Sequence, residues 1–138
     1  MHPIEWMSNW KRPVVEHMKP TPWQWMVSHP DKLLILNHVD IGAYTFIQAE
    51  EGVELHDEVE IGSHCSIYSV NTIDNTRGKV IIEAGACIGS HSVIMPGVTI
   101  GSGAVIATHS LVKKDIPACE VWGGLPATYI KVNYGRIT

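Results

Sequence analysis

Between Ile82 and Val112 a branched aliphatic recurs at every sixth position without a miss: Ile82, Ile88, Ile94, Ile100, Ile106 and Val112. A period of six matches neither the 3.6-residue turn of a helix nor the simple alternation of a hairpin. Four residues after each of the first five stands a small or slim side chain, Ala86, Ser92, Val98, Ala104 and Ser110. Each hexad thus offers one large and one small inward position. This is the pattern of a parallel β-helix, an all-β fold in which six residues make one short strand and one corner.

The register continues towards the N-terminus through two interruptions. Ile73, Ile67, Ile61 and Leu55 keep the step of six, with Cys65 and Val59 in the small slot, and an excess of two residues around Glu50 and Glu51 separates them from Ile47, Ile41 and Ile35. A second excess, of three residues, lies between Ile73 and Ile82 within Asp74-Asn75-Thr76-Arg77-Gly78. Insertions in such an array leave at its corners, often on the binding side. The pattern predicts a repeat domain over residues 35–117, a cap or arm over 1–34 and a C-terminal loop with a short closing segment over 118–138. Residues 1–34 hold Trp6, Trp10, Trp23 and Trp25, too much apolar surface to leave in water. Trp6 and Trp10 are spaced as on one helix face, and a cover over the open first coil is the expected use of all four.

Composition removes several classes. With a net charge of −4 and Lys113-Lys114 as the only adjacent basic pair of the repeat region, no basic stripe is available to neutralise nucleic-acid phosphates. No apolar run reaches the length of a membrane span, and the N-terminus lacks a charged-then-apolar leader, so no membrane partner is expected. The three cysteines, Cys65, Cys87 and Cys119, form no CxxC pair, which predicts a reduced, cytoplasmic setting.

The stretch Ile88-Gly89-Ser90-His91-Ser92-Val93-Ile94-Met95-Pro96-Gly97-Val98-Thr99-Ile100-Gly101, followed by Lys114-Asp115-Ile116-Pro117 and Gly124-Leu125-Pro126-Ala127, resembles the C-terminal half of hexapeptide-repeat acyltransferases. Galactoside, maltose and streptogramin acetyltransferases and the sugar acyltransferases of polysaccharide biosynthesis share the pattern. The resemblance implies left-handed winding with three hexads per triangular coil. Thirteen hexad starts then make about four coils, a prism roughly 20 Å tall at about 4.8 Å per coil. It further implies a homotrimer, acetyl-CoA or another acyl-CoA lying between adjacent prisms, and transfer of the acyl group to a hydroxyl or amine of a sugar or nucleotide sugar.

A thioester is already activated, so such an enzyme must hold it beside the acceptor, remove the acceptor's proton and stabilise the oxyanion. Histidine suits the proton step. Counting hexads puts Ile47, Ile67, Ile88 and Ile106 on one face with His91 and His109 outward, one coil apart, and puts His64 and His38 on the other two faces. His91 is the first candidate for the base and His109 the second. The loop histidine of the galactoside-type enzymes has no counterpart here, since aligning their Ser-Val step with Ser69-Val70 puts Ile73 in its place. Asp74 or Asn75 could orient an imidazole or grip a sugar hydroxyl, or could simply make the turn, and Asn71 is expected in a small inward slot. Small corner residues, Gly89-Ser90, Gly101-Ser102 and Ala107-Thr108, would let a pantetheine chain lie close to the backbone. Lys113 or Lys114 would meet a phosphate. Trp122 either packs on the prism end or flanks the pantetheine.

Two other classes compete. A gamma carbonic anhydrase-like zinc enzyme is also a trimeric prism, but it takes two histidines five residues apart on one chain, and this sequence has no His-x4-His pair, so no metal is expected. A non-catalytic prism serving as a scaffold or ligand binder is the other alternative.

Overall fold

The computed structural model describes residues 9–136, so the expected pairing of Trp6 with Trp10 falls outside the described residues. The chain winds as a parallel β-solenoid of about five coils, one more than the hexad count predicts. The first coil is β1 (Met26–Ser28), β2 (Leu33–Ile35) and β3 (Asp40–Ile41), and the second is β4 (Phe46–Gln48), β5 (Val53–Leu55) and β6 (Glu60–Ile61). In the third coil, β7 (Ser66–Tyr68) is followed by a projecting hairpin of β8 (Val70–Asn71) and β9 (Thr76–Arg77), then β10 (Val80–Ile82) and β11 (Cys87–Ile88). The fourth is β12 (Val93–Ile94), β13 (Thr99–Ile100) and β14 (Val105–Ile106). The fifth opens with β15 (Leu111–Val112), bridges Ile100 through Ile116, and ends in an antiparallel pair, β16 (Glu120–Gly124) and β17 (Ala127–Val132).

Three sheets form the faces, with strands in the orders β1-β4-β7-β12-β15, β2-β5-β10-β13 and β3-β6-β11-β14-β16-β17. Their inward rows are the hexad aliphatics. Val27, Ile47, Ile67, Ile94 and Val112 line the first face with no exposed surface. Ile35, Leu55, Ile82 and Ile100 line the second, and Ile41, Ile61, Ile88 and Ile106 the third. Burying one such side chain fully is worth about 1.5–3 kcal/mol, so this column is the main favourable term for the fold.

The face assignment from the sequence needs correction. Ile47 and Ile67 stack with Ile94, whereas Ile88 and Ile106 stack with Ile61 on another face. The cause is Ile73. It keeps the spacing of six from Ile67 but sits at the tip of the β8–β9 hairpin with 94% of its surface exposed. The fifteen positions from Ile67 to Ile82 are one hexad step plus a single nine-residue insertion, not two steps plus three.

Both ends of the column are covered. Trp25, only 3% exposed, occupies the small slot before β1 and stacks on Trp23, while the Trp10 indole N–H donates to the Val39 carbonyl at 3.0 Å. The solenoid therefore begins at Met26, inside the stretch that the pattern assigned to the cap. At the far end Trp122 takes the place below Ile106 and packs against the core, its Nε1 donating to Glu120 at 2.9 Å. No helix among the described residues is long and apolar enough to cross a membrane.

A candidate active site at one edge of the prism

Each corner turns the chain by about 120° in a few residues, and a left-handed backbone residue recurs three positions before the next inward aliphatic. At the edge leading from the third face to the first, that residue is Tyr44, His64, His91 and His109 in successive coils, with φ of 65°, 58°, 63° and 56°. Histidine enters this conformation more readily than most side chains. Identical backbone geometry repeated coil on coil makes the side chains project in parallel. The rings of His64 and His91 stack at 4.7 Å and 8°, those of His91 and His109 at 4.7 Å and 6°, and Tyr44 leans on His64 at 5.1 Å. His64 thus shares the edge with His91 and His109, against the expectation that it stands on another face. His38 is at a different edge, as expected.

The backbone under this column is tightly specified. His91 N–H donates to Ser63 O and His109 N–H to Ser90 O, both at 3.0 Å. One residue after each ring comes a buried polar side chain, Thr45, Cys65, Ser92 and Ser110, whose hydroxyl or thiol hydrogen-bonds a carbonyl of the adjoining corner backbone: Thr45 to Gly62 O, Cys65 to Gly89 O, and both serines to Ala107 O. Buried polar groups so satisfied fix a conformation instead of weakening it. Burial pushes the Cys65 thiol above its ordinary range, which suits a space-filling donor. Gly89 has no room for a side chain, since a Cβ there would lie 2.6 Å from Thr108 N.

The other expected site residues divide among the three edges. Gly89-Ser90 and Ala107-Thr108 stack one above the other on the histidine edge, whereas Gly101-Ser102 turns the corner from the second face to the third, packed on Ala118. The small-residue groove is therefore not continuous through all three. Lys113 and Lys114 are exposed on the remaining edge, from the first face to the second, one face away from the histidines.

The β8–β9 hairpin leaves that same edge. Asn71 is not in an inward slot but in β8, where its Oδ1 accepts from Ile73 N at 3.2 Å. Asp74 accepts from the Thr76 backbone N–H at 3.0 Å and from its hydroxyl at 2.7 Å, which holds the carboxyl below its usual range, and Asn75 accepts from Arg77 Nε at 3.0 Å. Arg77 then reaches Glu50 at 2.7 Å and Glu51 at 3.0 Å on the preceding coil. Asp74 and Asn75 build the turn, and the turn is braced. Replacing Arg77 with alanine is expected to leave global stability nearly unchanged, since its ion pairs with Glu50 and Glu51 are solvent-exposed, while quickening amide exchange across residues 70–77. Unchanged protection there would count against bracing by Arg77.

Among the described residues no three His, Cys, Asp or Glu side chains gather in a metal-binding cluster. A cavity of about 450 Å³ lined by Trp10, Trp23, Trp25 and Ile41 lies over the first coil and touches no member of the histidine column.

What sequence reasoning missed at this edge is His64. The usable signal was the offset: His64, His91 and His109 each stand three residues before Ile67, Ile94 and Val112, all on one face once Ile73 leaves the count.

Residues 79–114 match the bacterial transferase hexapeptide (six repeats) profile. A chloramphenicol acetyltransferase of Morganella morganii is 34% identical over 111 residues, which are 75% of this chain, but the chain spans only 53% of that relative's length. Among solved structures, a hexapeptide-repeat acetyltransferase from Vibrio cholerae complexed with acetyl coenzyme A superposes with a TM-score of 0.74 at 25% identity, over 78% of this chain and 64% of the other. An N-acyltransferase from Bacillus cereus, in complex with dTDP and 3-hydroxybutyryl-CoA, gives 0.71 at 26% identity over 85% and 80%.

Proposed function

Because the chain belongs by its repeat and its fold to the hexapeptide-repeat acyltransferase family, we propose that it transfers an acyl group, most simply acetyl, from acyl-CoA to a hydroxyl or amine of a sugar or nucleotide sugar. The observation that carries this reading is the His91 imidazole. It stands on an exposed edge beside the slim backbone of Gly89-Ser90 and Ala107-Thr108, and among the described residues no hydrogen bond occupies its ring nitrogens. Its nitrogens are open to an acceptor. In the proposed reaction His91 takes the proton of the acceptor hydroxyl as oxygen attacks the thioester carbon. The tetrahedral intermediate then collapses with loss of the CoA thiolate, and the imidazolium returns the proton to sulfur.

The division of residues among edges supports an intersubunit site. His91 and His109 are one face away from Lys113, Lys114 and the hairpin carrying Asn71, Asp74 and Asn75, so one prism does not bring both sets to one ligand. Two prisms side by side can, and a homotrimer presents each pairing of edges three times. In this arrangement the lysines of one subunit meet CoA phosphates and the hairpin of that subunit faces the acceptor. Trp122 is left out, since it covers the end of the solenoid.

A thiol-release assay with acetyl-CoA and a panel of amino sugars and nucleotide sugars tests the activity. Calorimetry without detectable CoA binding, or light scattering giving a stable monomer at micromolar concentration, would overturn the reading. Replacing Lys113 and Lys114 together with alanine is expected to weaken CoA binding about 10-fold, as losing one charge-assisted phosphate contact does, with turnover at saturation nearly unchanged. Titration calorimetry and initial rates over a range of acetyl-CoA concentrations separate the two effects.

A further inference from the structure

A base in catalysis has to present one nitrogen along a fixed direction, and a misaligned imidazole loses much of its effect. Other histidines of this chain have side-chain hydrogen bonds that set the ring: His56 reaches Glu54 at 3.0 Å, and His29 reaches Ser28 at 2.6 Å. His91 has none among the described residues. What touches its ring is the pair of neighbouring imidazoles, one on each face at 4.7 Å and nearly parallel. Turning the His91 ring about its Cβ–Cγ bond would give up the parallel contact on both of its faces at once. The stack itself therefore holds the nitrogens in the plane of the edge.

We propose that His64, one coil before the base, is a positioning residue for the acyl transfer: it covers one face of the His91 imidazole and, with His109 on the other face, restricts that ring to the orientation in which a nitrogen faces the acceptor. This rests on His91 being the base. The stacking needs a flat ring and not an imidazole in particular, and the column says so, since its first member is Tyr44, leaning on the far face of His64 at 5.1 Å. The three histidines share one left-handed backbone conformation, so an aromatic replacement at position 64 keeps the same projection.

The test uses the full chain with three substitutions, His64→Ala, His64→Phe and His91→Ala, each measured for kcat, for KM towards acetyl-CoA and by the imidazole resonances of His91, which are identified by their loss in His91→Ala. Aromatic pairs contribute enough that removing one face of the stack is expected to lower kcat about 3- to 10-fold, with KM for acetyl-CoA unchanged. His91 resonances should shift in His64→Ala as the ring current is lost. In His64→Phe both kcat and the shift should return to within about twofold of the parent. Unmoved His91 resonances in His64→Ala would overturn the proposal, as would moved resonances with kcat intact. His64→Phe behaving like His64→Ala would overturn it too, because it would make the imidazole chemistry of His64 the point. If His91→Ala alone leaves turnover intact, the base assignment falls and the positioning role with it, an outcome recognisable without any His64 variant.

Discussion

Replacing His91 with alanine is expected to lower turnover by at least about 100-fold with a hydroxyl acceptor, while CoA affinity stays nearly the same. The magnitude follows from the chemistry. An alcohol holds its proton far above neutral pH and attacks a thioester poorly unless a base takes that proton as the new bond forms, and losing such a base typically costs about 10² to 10⁴ in rate. Affinity should survive because the imidazole makes no hydrogen bond that supports the edge: the corner is held by backbone contacts and by Cys65, Ser92 and Ser110. Initial rates with acetyl-CoA, alongside calorimetry, check both halves. A small loss in His91→Ala beside a large one in His109→Ala would transfer the role to His109. If neither variant slows the reaction and the rate climbs with pH as an amine deprotonates, the acceptor brings its own nucleophile and no side-chain base is used.

The second large effect concerns stability and separates two isoleucines that look alike in the repeat. Ile94→Ala is expected to destabilise the fold by about 3–4 kcal/mol, within the range for emptying a fully buried isoleucine site. Ile94 has no exposed surface and lies between Ile67 and Val112 in the middle of the first face, where neighbouring coils cannot collapse inward without losing their own register. Ile73→Ala is expected to change stability by less than about 0.5 kcal/mol, since Ile73 is 94% exposed at the hairpin tip. Denaturant titrations of the two variants give the comparison directly. Equal losses would mean that Ile73 is buried in solution, as the unbroken spacing of six would have it.

That pair also marks how far the sequence could be read. The interior was legible because its cause is local: one large and one small side chain per hexad are what a narrow triangular coil can hold, and every inward aliphatic from Ile82 to Val112 is where the period puts it. Face membership was not legible, because it depends on a running count. Once Ile73 entered the count by coincidence of spacing, His91 and His109 were still placed one coil apart, but His64 was sent to the wrong face. The first strand, β1, escaped for a different reason. Val27 is eight positions before Ile35, and its strand is surrounded by tryptophans and prolines that read as a cap. The distribution of His91, Lys113 and Gly101-Ser102 over three separate edges is a property of closure around a triangle, which spacing alone does not reveal.

The nine-residue insertion also bears on how such a chain could diversify. On one side of it Ile67 remains paired with Ile94, and on the other Ile82 remains paired with Leu55, so the ladder is in step across an excursion longer than a hexad. Length at this corner is uncoupled from the pitch of the coil. Residues 71–79 form a cassette whose tip can be lengthened, shortened or rewritten while the aliphatic column stays in register. A corner segment of this kind can be exchanged while the strand pairing on both sides of it is kept.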